Sequence, residues 1–115
     1  MTTVYYDDSH KKIVESGIPA IRRILFHNNT SEILSLLFCL DFYLDPYYKN
    51  TLSYEKEIYE LLQELVISSQ DDDIIRACLQ LIGDYSCIPL SILEQGFDKI
   101  KENWKPDVKY ILNRP

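Results

Sequence analysis

The sequence predicts an all-α protein, and two observations carry that prediction. Apolar residues recur at spacings of three and four positions along most of the 115-residue chain, as they do on one face of an α-helix. Alternation of apolar and polar residues over the length of a strand is nearly absent. At this length we expect a single domain over residues 1–115, in which residues 1–15 form a less regular N-terminal segment.

The first two predicted helices span residues 18–27 and 31–44. Pro19 falls in the first turn of the earlier helix, where a missing backbone N–H breaks no hydrogen bond. Asn29 is a favourable N-cap for the next helix, since its side chain can accept from an otherwise unpaired backbone N–H. Pro46 disfavours helical backbone at the residue before it, so the stretch DPYYKN is predicted to form a loop.

Four more helices are predicted, at residues 53–69, 71–83, 89–100 and 106–112. Ser53 is the expected N-cap of the first of them. Asp71 or Asp72 caps the second, and the remaining acid residues there meet the positive end of the helix dipole. Gly83 is the predicted end of that second helix.

An internal similarity relates the second and fourth predicted helices. A shift of 42 positions superimposes three pairs: Ile33 and Ile75, Leu37 and Leu79, Tyr43 and Tyr85. This period is typical of helical-hairpin repeats of about 40 to 47 residues, whose apolar faces are buried only by stacking. Since any two amphipathic helices align at some shift, we predict about six helices, either in stacked antiparallel hairpins or in an irregular helical bundle.

The segment DDDIIRACLQLIGD, residues 71–84, resembles the second helix of a HEAT-type repeat. It has the acidic start, the branched apolar residues, the arginine, the small residues and the closing Ile-Gly pair of such a helix. Arg76 is displaced by one place from its commonest position, and the second predicted helix lacks both the arginine and the glycine. The resemblance implies HEAT-like stacking of hairpins.

No reaction chemistry is recognisable in the residues. The chain has only two histidines, and no HExxH motif, Cys-x-x-Cys pair or glycine-rich phosphate loop occurs. Neighbouring carboxylates at 71–73 could serve as acid and base, but helix capping and the helix dipole already explain them. Cys87 is a loop thiol with no basic neighbour to lower its pKa. We therefore predict no enzyme activity, no catalytic residue, no metal site and no cofactor.

The expected location is the cytoplasm. The first residues, MTTVYYDDSHKK, have neither the basic nor the apolar region of a secretory signal. The longest apolar run, residues 33–44, is interrupted by polar residues and is shorter than the roughly 20 residues of a membrane span. No membrane association is expected. Three cysteines among apolar neighbours fit reduced, buried thiols.

Charge is distributed unevenly along the chain, whose formal net charge is −6. Residues 41–98 hold twelve acidic and three basic residues, a net charge of −9. A negative field repels phosphate backbones and attracts basic proteins. We therefore expect a basic protein partner and no direct binding of nucleic acid.

The candidate partner-binding residues lie in the tyrosine-rich loop and on the second and fourth predicted helices. Tyrosine offers rigid contact area and a hydroxyl group, which is why it is frequent at binding hot spots. The alternative is that the loop tyrosines lie flat on the core. Acids at equivalent ends of two stacked helices favour binding, and the predicted set is Asp41, Asp45, Tyr47, Tyr48, Asp73, Gln80 and Asp84.

A short, acidic, tyrosine-rich helical chain without reaction chemistry resembles, in overall character, the immunity proteins of bacterial contact-dependent growth inhibition and other polymorphic toxin systems. The resemblance implies that the protein binds and neutralises a cognate toxin domain, such as a basic nuclease. We expect a monomer or a weak dimer. The alternatives are a helical-repeat adaptor or regulatory subunit that binds a protein without inhibiting it, and an enzyme of an unrecognised class.

Overall fold

A computed structural model of the chain describes residues 5–27, 29–86 and 88–113. These described residues form seven α-helices and no β-strand, so the all-α prediction is confirmed. The helices are α1 (Asp8–Glu15), α2 (Ile18–His27), α3 (Thr30–Leu44), α4 (Glu55–Ser68), α5 (Asp72–Tyr85), α6 (Ser91–Gln95) and α7 (Lys105–Leu112). Short 3-10 helices occupy Pro46–Tyr48, Phe97–Lys99 and Glu102–Trp104.

The first six helices pack in two layers. Helix α3 contacts both α1 and α5, so α1, α3 and α5 lie side by side and form one layer, the odd-numbered layer. Helix α4 contacts both α2 and α6, which places the even-numbered helices in a second layer. Contacts between α2 and α3 and between α4 and α5 join the layers. Of the two predicted arrangements, these contacts follow stacked hairpins.

The core lies between the layers and is formed by apolar residues of the packed helices. Leu36 and Leu40 of α3, Ile58 and Leu62 of α4, and Ile75 of α5 have no solvent-exposed surface. Burial of each such side chain contributes about 1.5–3 kcal/mol to folding. The pairs matched by the 42-residue shift, Ile33 with Ile75 and Leu37 with Leu79, are all buried.

Two of the predicted caps are present, and two predicted helix boundaries are wrong. The Asn29 side chain accepts from the backbone N–H of Glu32, and Asp71 accepts from two backbone N–H groups of α5. The N-cap residue of α4 is Tyr54, not Ser53, and it makes no side-chain capping hydrogen bond; its hydroxyl instead donates to the Val14 carbonyl of α1. Helix α5 continues through Gly83 to Tyr85, whose own hydroxyl holds the last turn on α3.

Helix α1 occupies much of the segment for which the sequence predicts less regular structure; residues 1–4 lie outside the described residues. Asp7 and His10 form a capping box at its start. Since Nδ1 of the buried His10 accepts the Asp7 backbone N–H, its Nε2 donates to Glu32 of α3 at 3.1 Å. Gly17, with φ of +100°, supplies the left-handed turn into α2.

The predicted helix over residues 89–100 is interrupted. Helix α6 ends at Gln95, and a 3-10 helix follows Gly96. A Cβ atom at Gly96 would lie 2.5 Å from Cδ1 of Ile67, so the chain passes α4 at a distance that only glycine allows without a shift. Helix α7 has Pro106 in its first turn, as predicted.

Candidate protein-binding surface

A groove runs along the outer side of the odd-numbered layer, between α3 and α5. Its volume is about 270 Å³. Most of its lining is apolar, and two polar side chains, Asp41 and Gln80, complete it. The apolar lining residues are Leu34, Leu37, Phe38, Ala77 and Leu81. The groove lies where these two neighbouring helices meet, and two of its lining residues, Leu37 and Leu81, are also buried core residues.

The charges of three carboxylates act on the phenol of Tyr85 at the C-terminal ends of α3 and α5. The Tyr85 hydroxyl donates to Asp41 at 2.7 Å. This hydrogen bond, burial, and the charges of Asp41, Asp45 and Asp84 raise the pKa of Tyr85 above its ordinary value. Among the described residues, none of the three carboxylates has an ion-pair partner. The end of the groove at Asp41 therefore carries negative charge that no ion pair in the described part of the chain neutralises.

Five aromatic rings form a continuous row beside this groove. The row starts at Phe38, whose ring centroid lies 5.3 Å from that of Tyr6, and continues to Phe42. The ring centroids of Tyr48 and Phe42 are 4.7 Å apart, and those of Tyr47 and Tyr48, which meet edge-on, are 5.2 Å apart. Phe38, Tyr48 and Tyr47 are 49%, 51% and 81% exposed. This aromatic row (Phe38, Tyr6, Phe42, Tyr48, Tyr47) thus combines mutual packing with accessible ring faces.

Six of the seven predicted binding residues lie on or beside this face. Asp41 and Gln80 line the groove, Asp45 and Asp84 are grouped around Tyr85, and the exposed Tyr47 and Tyr48 end the aromatic row. Asp45 also caps the 3-10 helix by accepting from the Tyr47 backbone N–H.

The seventh predicted residue, Asp73, lies apart from the others. It is in the first turn of α5, eleven residues before Asp84, which is about 16 Å along a helix axis. Its carboxylate pairs with Arg76 at 3.1 Å. Both side chains are exposed, so this ion pair contributes little to stability. The structure does not bring Asp73 together with the groove.

Phe38, Tyr6 and Tyr85 belong to this surface but are absent from the predicted set. A signal for Phe38 exists in the sequence, because it is a large apolar residue that follows Leu37 and so points about 100° away from the core stripe. Tyr6 precedes a helix that local apolar spacing does not reveal. The bond between Tyr85 and Asp41 spans 44 residues and depends on how α5 lies against α3.

Few groups suited to metal binding or nucleophilic catalysis occur in the described part of the chain. No group of three or more His, Cys, Asp or Glu side chains that could hold a metal ion occurs there. Burial raises the pKa of the Cys39 thiol to about 11 and raises the pKa of Cys78 as well. Both thiols are therefore protonated and poorly nucleophilic near neutral pH. Cys87, the predicted loop thiol, lies outside the described residues.

No protein-family model, curated protein sequence or solved structure matches the chain significantly. Within residues 5–27, 29–86 and 88–113, no helix has both the length and the apolar character needed to span a bilayer. The fold and the surface define the class of protein: a two-layer, all-α protein with a largely apolar groove, acidic residues at one end of it, and an aromatic row on the same face.

Proposed function

We propose that this protein is an immunity protein that binds a cognate toxin domain, most simply a basic nuclease domain, and neutralises it. The observation that best supports this proposal is the joint placement of the groove, the aromatic row and three carboxylates that have no ion-pair partner among the described residues. A flat polar surface or scattered acids would offer a partner neither anchors nor a directed field. Here both are present on the odd-numbered layer.

The carboxylates favour rapid encounter with a cationic domain. Asp41, Asp45 and Asp84 lie within the segment of net charge −9, and none of them has an ion-pair partner among the described residues. Complementary fields of this kind raise association rates and disfavour acidic competitors. A nuclease domain is basic where it contacts phosphates, so an acidic inhibitor competes directly for that surface.

The aromatic row supplies the groups that slow dissociation. Tyr47 and Tyr48 keep large exposed ring areas, and their edge-on contact limits the freedom that binding must remove. Where such residues are hot spots at the centre of an interface, truncating one to alanine costs about 2 kcal/mol or more of binding free energy. Phe38 adds a third exposed ring at the other end of the row.

Co-expression with the toxin domain encoded in the neighbouring reading frame tests the proposal. We expect the protein to restore growth and to purify in a stable complex with that domain. The double variant Asp41→Asn and Asp84→Asn is expected to weaken rescue. Its matched control changes the exposed Asp98 and Asp107 to Asn, which alters the net charge equally away from the groove.

Three outcomes contradict the proposal in different ways. A stable complex without growth rescue indicates the adaptor alternative, in which the same surface binds a protein without inhibiting it. If neither a complex nor rescue is observed, the toxin partner is wrong. Equal loss of rescue in both double variants would show that net charge matters and that the groove does not.

A further inference from the structure

The groove between α3 and α5 differs from a general apolar patch in its size and in the position of its charge. Its volume of about 270 Å³ exceeds the roughly 150 Å³ of a cavity that holds one benzene molecule. It is too small for a helix and has room for one long side chain. Apolar residues form the walls, while Asp41 and Gln80 provide oxygen acceptors at the rim.

The carboxylate at the rim is held in a defined orientation. One oxygen of Asp41 accepts the Tyr85 hydroxyl, and the Asp41 side chain is half-buried on the last turns of α3. Hydrogen bonding to Tyr85 leaves the second oxygen and further lone pairs for another donor. Because no ion pair neutralises Asp41 among the described residues, a cationic ligand would not have to displace a basic side chain.

We propose that this groove is a pocket for a single arginine side chain of the protein partner. The methylene stem of the arginine lies against Ala77 and Leu81, and the guanidinium stacks on the half-exposed ring of Phe38. Its N–H groups donate to Asp41 and to the amide oxygen of Gln80. This inference deepens the proposed function and relies on it only for the source of the arginine.

Arginine fits the pocket better than other side chains. A lysine ammonium is a compact, strongly hydrated point charge and has no plane to place on Phe38. A guanidinium is planar, loses its hydration more readily, and matches a carboxylate with two parallel hydrogen bonds. An apolar side chain would fill the walls but leave the negative charge of Asp41 without a partner as water is excluded.

The pocket can be tested without the partner by following backbone amide resonances of the isotope-labelled protein by NMR. The probes are N-acetyl-arginine methylamide, the corresponding lysine derivative, and the citrulline derivative, which has nearly the shape of arginine without its charge. We expect the arginine probe to shift the resonances of Phe38, Ala77 and Gln80. Loss of the charge-assisted hydrogen bonds is expected to make the citrulline probe bind about ten- to a hundredfold more weakly.

Two variants separate the charge of the pocket from its shape. Asp41→Asn removes the charge but keeps an oxygen that can accept from Tyr85, and we expect arginine binding to fall about tenfold or more. Ala77→Leu fills the groove without altering charge and is expected to abolish binding, with helix content unchanged by circular dichroism. The matched control is Asp98→Asn, on the 3-10 helix that packs against α4 and α6.

Equal binding of the lysine or citrulline probe, or resonance shifts spread evenly over all exposed acids, would overturn the arginine pocket. Unchanged binding in Asp41→Asn or Ala77→Leu would do the same. None of these results depends on the toxin. Conversely, absence of growth rescue in the co-expression experiment, together with selective binding of the arginine probe, would refute the proposed function and leave the pocket in place.

Discussion

Asp72 shows how a single exposed carboxylate fixes the C-terminal part of this protein. Its Oδ1 accepts from Lys101 Nζ at 2.9 Å, Trp104 Nε1 at 2.8 Å and Asn103 Nδ2 at 3.3 Å. In addition, the Arg76 guanidinium lies 5.5 Å from the centre of the Trp104 ring. The first turn of α5 thereby holds the segment that leads into α7, a role beyond the helix-dipole role expected from the sequence.

The pH dependence of this contact follows from the pKa of Asp72. Hydrogen bonds from Lys101, then Trp104 and Asn103, lower that pKa from 3.8 to about 2. Because the folded pKa is depressed, the carboxylate stabilises the folded state above pH 3.8, and this contribution is lost as the pH falls towards 2. We expect Asp72→Asn to lose tryptophan fluorescence of the folded state at a higher pH than the wild type. Trp104 is the only tryptophan, so the signal reports this site.

Asp98→Asn again serves as the control for the acid titration, since it removes an exposed carboxylate for which no ion pair is found among the described residues. Its acid transition is expected to match that of the wild type. If Asp72→Asn and the wild type lost the Trp104 signal at the same pH, the hydrogen bonds to Asp72 would not hold the C-terminal segment at acid pH.

At the scale of helices, two tyrosine–carboxylate bonds connect successive members of the odd-numbered layer. Tyr43 of α3 donates to Glu15 of α1 at 2.6 Å, and Tyr85 of α5 donates to Asp41 of α3 at 2.7 Å. These two tyrosines are the pair matched by the 42-residue shift. The internal similarity therefore has a structural counterpart. Each tyrosine connects the end of its own helix to the preceding helix of the odd-numbered layer, α3 to α1 and α5 to α3.

Removing one of these bonds should loosen the layer by a measurable amount. We expect Tyr43→Phe to reduce the free energy of unfolding by about 1 kcal/mol, because Glu15 remains solvated and most of the buried ring area is kept. Chemical denaturation followed by circular dichroism measures this change. Tyr110→Phe is the control, since Tyr110 is 73% exposed. An equal change in both variants would mean that the bond to Glu15 contributes nothing.

Much of this architecture could be predicted from local sequence, and the exceptions share a cause. Helices α2, α3, α4, α5 and α7 could be predicted because each has a regular apolar stripe, and all of them except α4 also begin at the expected local signal. Helix α1 was not, because its local start signal, the capping box of Asp7 and His10, is followed by few buried residues, and its contacts with Glu32 and Tyr54 are long-range. The break at Gly96 likewise lies at a close approach to Ile67, 29 positions earlier in the chain.

Part of the candidate surface could likewise be predicted from the sequence, and part could not. The grouping of Asp41, Asp45 and Asp84 follows from placing α3 and α5 side by side, which the 42-residue shift suggested. The groove could not be predicted, because its shape depends on the spacing between two packed helices. The aromatic row could not be predicted either, because it includes Tyr6, which reaches Phe38 only when α1 is folded.

For the whole molecule, the distribution of charge determines how association should respond to salt. Residues 41–98 carry a net charge of −9, whereas residues 99–115 hold five basic and two acidic residues. The molecule measures only 36 × 30 × 25 Å, so at low salt, where the screening length is about 30 Å, its field extends beyond its own surface. At 1 M salt that length falls to about 3 Å, and only charges in contact still interact.

The two parts of the proposed interface should therefore respond differently in kinetic measurements with the toxin domain. We expect the association rate constant to fall by roughly tenfold or more between 0.01 and 1 M salt, while the dissociation rate constant changes much less. Tyr48→Ala should show the reverse pattern, with faster dissociation and nearly unchanged association, because it removes contact area without altering charge. An association rate constant that is indifferent to ionic strength would exclude electrostatic steering by Asp41, Asp45 and Asp84. If the dissociation rate constant of Tyr48→Ala were as low as that of the wild type, the residues that slow dissociation would lie outside the aromatic row.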